Sequence, residues 1–157
     1  MILYYTRSQK TKIFAEALHD ITGLPLHELK SDLDKMKDFK FLTRALGMVF
    51  SGKGCPVTNM PSSVPKEIYV CGPVWGGRLV GPVKYFLENF DLSKTRVNIL
   101  LTASTPVEKY RTRALEDLSK INCIQGEAYI FATNPKGMPE HDAVKEQLRM
   151  IMSGEAR

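Results

Sequence analysis

Apolar residues come in short blocks along this chain, and the blocks alternate between two spacings. Five are nearly continuous: Ile2–Tyr5, Leu26–Leu29, Ile68–Cys71, Val97–Leu101 and Ala128–Ala132. Several are apolar throughout, as in strands of a parallel sheet that is covered on both faces. After each block, apolar positions recur three and four apart. Ile13, Phe14, Ala17, Leu18 and Ile21 share one face of a first helix, and Phe39, Leu42, Leu46, Val49 and Phe50 one face of a second. Val83, Phe86, Leu87 and Phe90 mark a third, with Pro82 near its first turn. Ala114, Leu115, Leu118 and Ile121 mark a fourth, behind a Thr105-Pro106 start signal. Val144, Leu148, Ile151 and Met152 mark the last.

Strand and helix thus alternate strictly, which predicts a parallel sheet with helices on both faces. Right-handed crossovers leave few topologies, and the doubly wound strand order 2-1-3-4-5 fits best. The expected fold is an α/β three-layer sandwich forming a single domain over residues 1–157. In that order the first and third strands diverge at a switch point, and ligands bind outside their carboxyl ends. The least regular stretch, Ser51–Lys66, holds Gly52, Gly54, Pro56, Pro61 and Pro65 and reads as one long connection.

Composition narrows the class. With 43% hydrophobic and 25% charged residues, the 157-residue chain has the makeup of an ordinary globular domain with its own core. No apolar run approaches the roughly 18 to 20 residues a membrane span needs. The first strand begins at once, leaving no room for a secretion signal, so a cytoplasmic protein without a membrane span is expected. Cys55, Cys71 and Cys123 lack CxxC spacing, and His19, His27 and His141 lack HExxH spacing, so neither a disulfide framework nor a metal site is indicated.

The net charge is +5, with basic residues gathered at Lys35, Lys37, Lys40, Arg44 and Lys53 and again at Lys109, Arg111 and Arg113. Without an RNA-binding motif these read as solvated helix faces, and no nucleic-acid partner is expected.

Candidate chemistry sits at the two predicted switch-point loops. Residues Thr6 to Thr11, T-R-S-Q-K-T, lie between the first strand and the first helix. A helix N-terminus offers unpaired backbone N–H groups and about half a positive charge, and three hydroxyls add donors, which suits a phosphate. Residues Pro73 to Arg78, P-V-W-G-G-R, follow the third strand and carry the only tryptophan.

These two segments resemble the flavodoxins. I-L-Y-Y-T-R-S-Q-K-T-K at Ile2–Lys12 is similar to that family's first strand and hydroxyl-rich phosphate loop, T/S-x-T-G-x-T. The run I-Y-V-C-G-P-V-W-G-G-R-L-V-G-P-V-K-Y-F-L at Ile68–Leu87 resembles the third strand and flavin loop of the broader flavodoxin-like family.

The resemblance implies non-covalently bound flavin mononucleotide (FMN). Thr6, Ser8 and Thr11 would give hydroxyls to the phosphate, and the backbone of Arg7, Ser8, Gln9, Lys10 and Thr11 its N–H groups. Trp75, in the loop of Pro73, Val74, Gly76 and Gly77, would lie against the ring. Thr102, Ala103, Ser104 and Thr105, after the fourth strand, would flank it from the other side. The peptide between Gly76 and Gly77 either rotates with the redox state or simply makes a tight strand-to-helix turn.

Two features depart from the family. Gln9 stands where the phosphate loop usually has glycine, and a positive φ there would cost on the order of 1 kcal/mol. The sequence pI of about 9.1 is unlike the acidic electron carriers. Partners are therefore left between a redox protein, an acidic one included, and a small redox molecule such as NAD(P)H as donor or a quinone as electron acceptor, with the oligomeric state unassigned.

Other activities on this architecture lack their residues. A receiver domain needs an Asp where Cys71-Gly72 stands, a small tyrosine phosphatase needs a cysteine before Cys55, and neither G-x-G-x-x-G nor G-x-S-x-G occurs in the required place. No residue is assigned as a general acid, a general base or a metal ligand. Two functions remain: a flavin electron carrier or small NAD(P)H/quinone-type reductase, and a flavodoxin-like module that has lost its flavin and serves as a non-enzymatic scaffold.

Overall fold

Alternation along the strands divides the apolar blocks between two cores. In the computed structural model, residues 1–104, 108–121, 126–132 and 137–153 are described, without the side chains of 108–112 and 132. Ile2 and Tyr4 of β1 (Ile2–Tyr4) enter one core, while Leu3 and the following Tyr5 enter the other. The same parity sends Cys71 of β3 (Glu67–Trp75) and Leu100 of β5 (Arg96–Ala103) to the first core, and Val70, Ile99 and Leu101 to the second.

Helices α1 (Lys10–Thr22) and α5 (His141–Met152) close the first core through Phe14, Ala17, Leu18, Val144 and Leu148. Helices α3 (Gly81–Asn89) and α4 (Glu108–Ser119) close the second through Val83, Phe86, Ala114 and Leu118. No described helix is long and apolar enough to cross a membrane.

With β2 (Leu26–Glu28) and β6 (Ala128–Ala132), the parallel sheet has the order β2-β1-β3-β5-β6. Ile2 sits opposite Leu26 on one side and Tyr69 on the other, and Leu100 lies between Cys71 and Tyr129. Counting the five parallel strands alone, this is the expected 2-1-3-4-5.

Two expectations need correction. The third strand does not stop at Cys71 but runs on to Trp75, because a short β4 (Arg78–Leu79) folds back and pairs antiparallel with it. Strict strand–helix alternation is therefore broken by one hairpin.

The second correction concerns α2 (Asp38–Ser51). The predicted apolar face does not turn inward: Phe39, Leu42, Leu46 and Phe50 are exposed, and Ala45 and Met48 are the buried residues. Through Phe41, Ala45 and Met48 this helix packs on Leu33, Met36, Cys55 and Trp75, a small third cluster at the end of the sheet. The long connection that follows returns beside β2, with Thr58 N–H donating to the Lys30 carbonyl at 2.8 Å.

Candidate functional site

β1 and β3 run side by side with Tyr4 in register with Cys71, so the segments leaving their carboxyl ends meet. The first is Thr6–Thr11. Thr6 is buried, and its Oγ1 is the one buried side-chain polar atom among the described residues without a hydrogen-bond partner. Such an atom costs about 1–3 kcal/mol, so a role in binding is the natural place to seek its compensation.

Gln9 has φ 64° and ψ −8°, the left-handed region, and is the one non-glycine residue with positive φ among the described residues. It ends the loop as the N-cap of α1, and no side chain caps that helix. The sequence expectation that this position asks for glycine geometry is met by the backbone although the residue is glutamine. Two residues on, Thr11 Oγ1 lies 2.8 Å from Thr102 Oγ1, both buried, which fastens the first turn of α1 to β5. One hydroxyl donates to the other, so the accepting partner's proton is not used in that bond.

The second segment is the β3–β4 hairpin. Its turn is Gly76-Gly77, with φ 55° and 81°, and Trp75 pairs with Arg78 across it. Positive φ at both central positions is the signature of a two-residue hairpin turn whose twist matches the strands. The pair therefore makes a hairpin turn, not the strand-to-helix turn expected. A side chain at Gly76 would also collide with Val49 of α2, whose Cγ1 would lie 2.7 Å from the added Cβ. Arg78 donates to Asp117 Oδ1 at 2.7 Å and the Leu79 N–H to Oδ2 at 3.3 Å, so one buried carboxylate on α4 anchors the hairpin.

Trp75 is held by aromatic edges. Tyr5 meets it at 6.0 Å between ring centres and Phe41 at 5.2 Å, both near perpendicular. The Tyr5 hydroxyl donates to Asp34 Oδ1 at 3.0 Å. Burial, followed by the Asp34 charge, drives the phenol well above its usual range.

Helix α2 supplies the third wall. Phe41, Leu42, Ala45, Leu46 and Val49, together with Arg7, Ser8, Val74, Trp75 and Gly76, enclose a pocket of about 400 Å³, the size range of small-ligand sites. Arg7 ties the first loop to this helix. Its guanidinium donates to the carbonyls of Leu33, Asp34 and Met36 at 3.5, 3.3 and 3.1 Å, lies 4.4 Å over the Phe41 ring, and is 3.9 Å from Asp38.

No family model matches the sequence, and no curated protein matches it. Solved structures do. A candidate flavoprotein from Bacteroides uniformis superposes with TM-score 0.72 at 16% identity, covering 95% of this chain and 96% of the other. A flavoprotein in complex with FMN from Lactobacillus acidophilus gives 0.64 at 23% identity, covering 81% and 89%. A WrbA-like flavodoxin from Agrobacterium tumefaciens gives 0.57 at 13%, covering 94% and 89%. The chain has the flavodoxin-like fold.

In this flavodoxin-like arrangement the predicted residues fall into two groups. Arg7, Ser8, Val74, Trp75 and Gly76 share the pocket wall. Thr6, Gln9, Lys10, Thr11 and Thr102 belong to the neighbouring hydroxyl-rich corner at the start of α1. Pro73 lies within β3 in register with Thr102, and Gly77 completes the turn. Ala103 ends β5, Ser104 is exposed beyond it, and Thr105 lies outside the described residues.

The α2 wall and the Tyr5 support are what sequence reading missed. The signal for the first was available: apolar residues occupy more of α2 than one buried face can use. The corner offers neutral hydroxyls at a helix N-terminus and one orphaned buried hydroxyl, a donor set that fits a phosphate. The adjoining pocket is largely apolar with two large aromatics, Phe41 and Trp75, in its wall, which fits a flat ring.

Proposed function

We propose that this chain binds FMN without a covalent link and transfers electrons through it, as a carrier or a small NAD(P)H/quinone-type reductase. The observation that carries this reading is the orphaned Thr6 hydroxyl beside the α1 N-terminus, next to an apolar pocket walled by Trp75. Thr6, Ser8, Thr11 and the backbone N–H groups of Arg7 to Thr11 would hold the phosphate. Trp75, supported by Tyr5 and Phe41, would orient the ring and exclude water from one side of it. Bound flavin supplies one- and two-electron chemistry, and the protein supplies position and electrostatics.

A flavin-free scaffold is favoured instead by one feature, the commitment of the Arg7 guanidinium to three carbonyls rather than to an anion. The test is whether the purified protein is yellow or takes up added FMN. Thr6→Val separates the readings further. It should stabilise the flavin-free protein by about 1 kcal/mol by removing an unpaired buried hydroxyl, and weaken FMN binding at least about tenfold. A colourless protein that ignores FMN in titration refutes the proposal.

A further inference from the structure

Thr6, with its orphaned hydroxyl, stands between two residues whose side chains both end on one turn, distant in sequence. On one side the Tyr5 hydroxyl donates to Asp34 Oδ1 at 3.0 Å. On the other the Arg7 guanidinium donates to the carbonyls of Leu33, Asp34 and Met36. That turn, a short 3₁₀ helix over Asp32–Lys35, is itself well braced. The Leu33 N–H donates to Ser31 Oγ at 3.2 Å, the Ser31 N–H donates to Asp34 Oδ2 at 2.8 Å, and Leu33 is wholly buried. The two Asp34 oxygens thus join separate segments, one holding the start of the turn and the other the end of β1.

The last carbonyls of a short helix lack partners within it, and a nearby arginine can cap them. Arg7 does this with Nη1 and Nη2 while covering the Phe41 ring at 4.4 Å. The carboxylate of Asp38, 3.9 Å away, is fully exposed and adds little. Swinging the guanidinium to an anion would take this donor from the carbonyls and uncover the ring. The far end of the loop is pinned as well, by Thr11 on Thr102. Between the two pins Gln9 keeps its left-handed backbone, and such strain persists where the surroundings over-determine it.

We propose that Arg7 and Asp34 are positioning residues for the phosphate: through the 31–36 turn they hold the start of the loop so that the Thr6 hydroxyl and the N–H groups after it converge, and neither side chain touches the anion. The inference rests on the flavin reading above, and it accounts for the Arg7 geometry that favoured a scaffold.

Two ligands separate positioning from general damage, because riboflavin has the ring of FMN without its phosphate. Arg7→Lys keeps the charge and loses the fork, and Asp34→Ala loses both acceptor oxygens. Each should weaken FMN binding at least about tenfold and lower the ratio of FMN to riboflavin affinity at least about fivefold. Asp34→Asn can accept from the Ser31 N–H and donate to the Tyr5 oxygen, so it should recover at least about a third of the parent's FMN affinity. Tyr5→Phe removes the hydroxyl alone and should lower the ratio at least about threefold, which keeps the test open should either disruptive variant fail to fold. In the flavin-free protein, inorganic phosphate should shift the amide resonances of residues 6–11, and Arg7→Lys and Asp34→Ala should each weaken that binding at least about fivefold.

Arg7→Lys with the parent's FMN affinity makes the guanidinium a charge partner and overturns the proposal. So does an equal loss for FMN and riboflavin, or an Asp34→Asn that binds no better than Asp34→Ala. FMN uptake that is indifferent to all these variants overturns the positioning alone. Phosphate bound at residues 6–11 and weakened by the variants, in a protein that ignores FMN, overturns the flavin reading and upholds the positioning. A protein that takes up neither overturns both.

Discussion

Helices α1 and α2 begin from similar apolar periodicity and end in opposite environments. The apolar face of α1 is covered: Phe14, Ala15, Ala17 and Leu18 are essentially inaccessible, with Phe14 against Phe131 at 5.1 Å between ring centres, and Ile13 and Ile21 are partly buried against the same core. α2 holds more large apolar side chains yet leaves four of them in solvent. The cause is where the chain delivers each helix. α1 leaves β1 through a short loop and lies back on the sheet beside α5. α2 starts from a segment that Arg7 holds against the first loop, and it seats on the hairpin at the end of the sheet. Periodicity tells which residues share a face; only the tertiary path decides whether anything covers it.

Substitution should expose the contrast most sharply at Phe14. Phe14→Ala removes a buried ring and should lower stability by about 3–4 kcal/mol in urea unfolding.

High pH tests the strand beneath each helix. Tyr4 belongs to the α1 core, and its phenol is pushed up to about 12, chiefly by burial and then by Glu28. Tyr5 lies on the other face under the α2 approach, and its phenol is raised further. The unfolded chain gives up these protons from about pH 10 while the folded protein keeps them. Their contribution is therefore complete below pH 10 and is lost as pH rises through the folded values, at up to about 1.4 kcal/mol per pH unit for each tyrosine. Denaturation midpoints between pH 9 and about 11.5 should fall accordingly. Tyr4→Phe and Tyr5→Phe should each flatten the slope by one proton, and Tyr5→Phe should in addition lose the Asp34 bond.

Smaller again is Gln9→Gly at the start of α1. It relieves a left-handed non-glycine residue and should raise the unfolding free energy by about 1 kcal/mol. Smallest is Phe50→Ala on α2, expected to change stability by no more than about 0.5 kcal/mol despite deleting a phenyl ring. A loss comparable to that of Phe14→Ala would show that the α2 stripe is covered in solution.

The strand order and both switch-point loops were legible because parallel strands and helix starts leave local signatures. The strain at Gln9 could be read as well, since a loop that resembles one built with glycine asks for glycine geometry. The β4 hairpin escaped because two residues, Arg78 and Leu79, carry no periodicity of their own. It depends on Asp117, 39 residues from Arg78 in the chain. The Arg7 guanidinium leaves no such signature, since its carbonyl partners at Leu33, Asp34 and Met36 come within reach only when β2 and α2 are in place. The exposed stripe of α2 escaped for the reason given above, and the Thr105-Pro106 start signal and Cys123 lie outside the described residues.

Trp75 is the only indole in the chain, and it forms part of the pocket wall between Tyr5 and Phe41. The molecule thus comes with a built-in optical gauge. Its indole emission, excited on the red edge where the six tyrosines do not absorb, originates from a single place, so quenching, a colour change or a rise in anisotropy reads events at that wall without any attached dye.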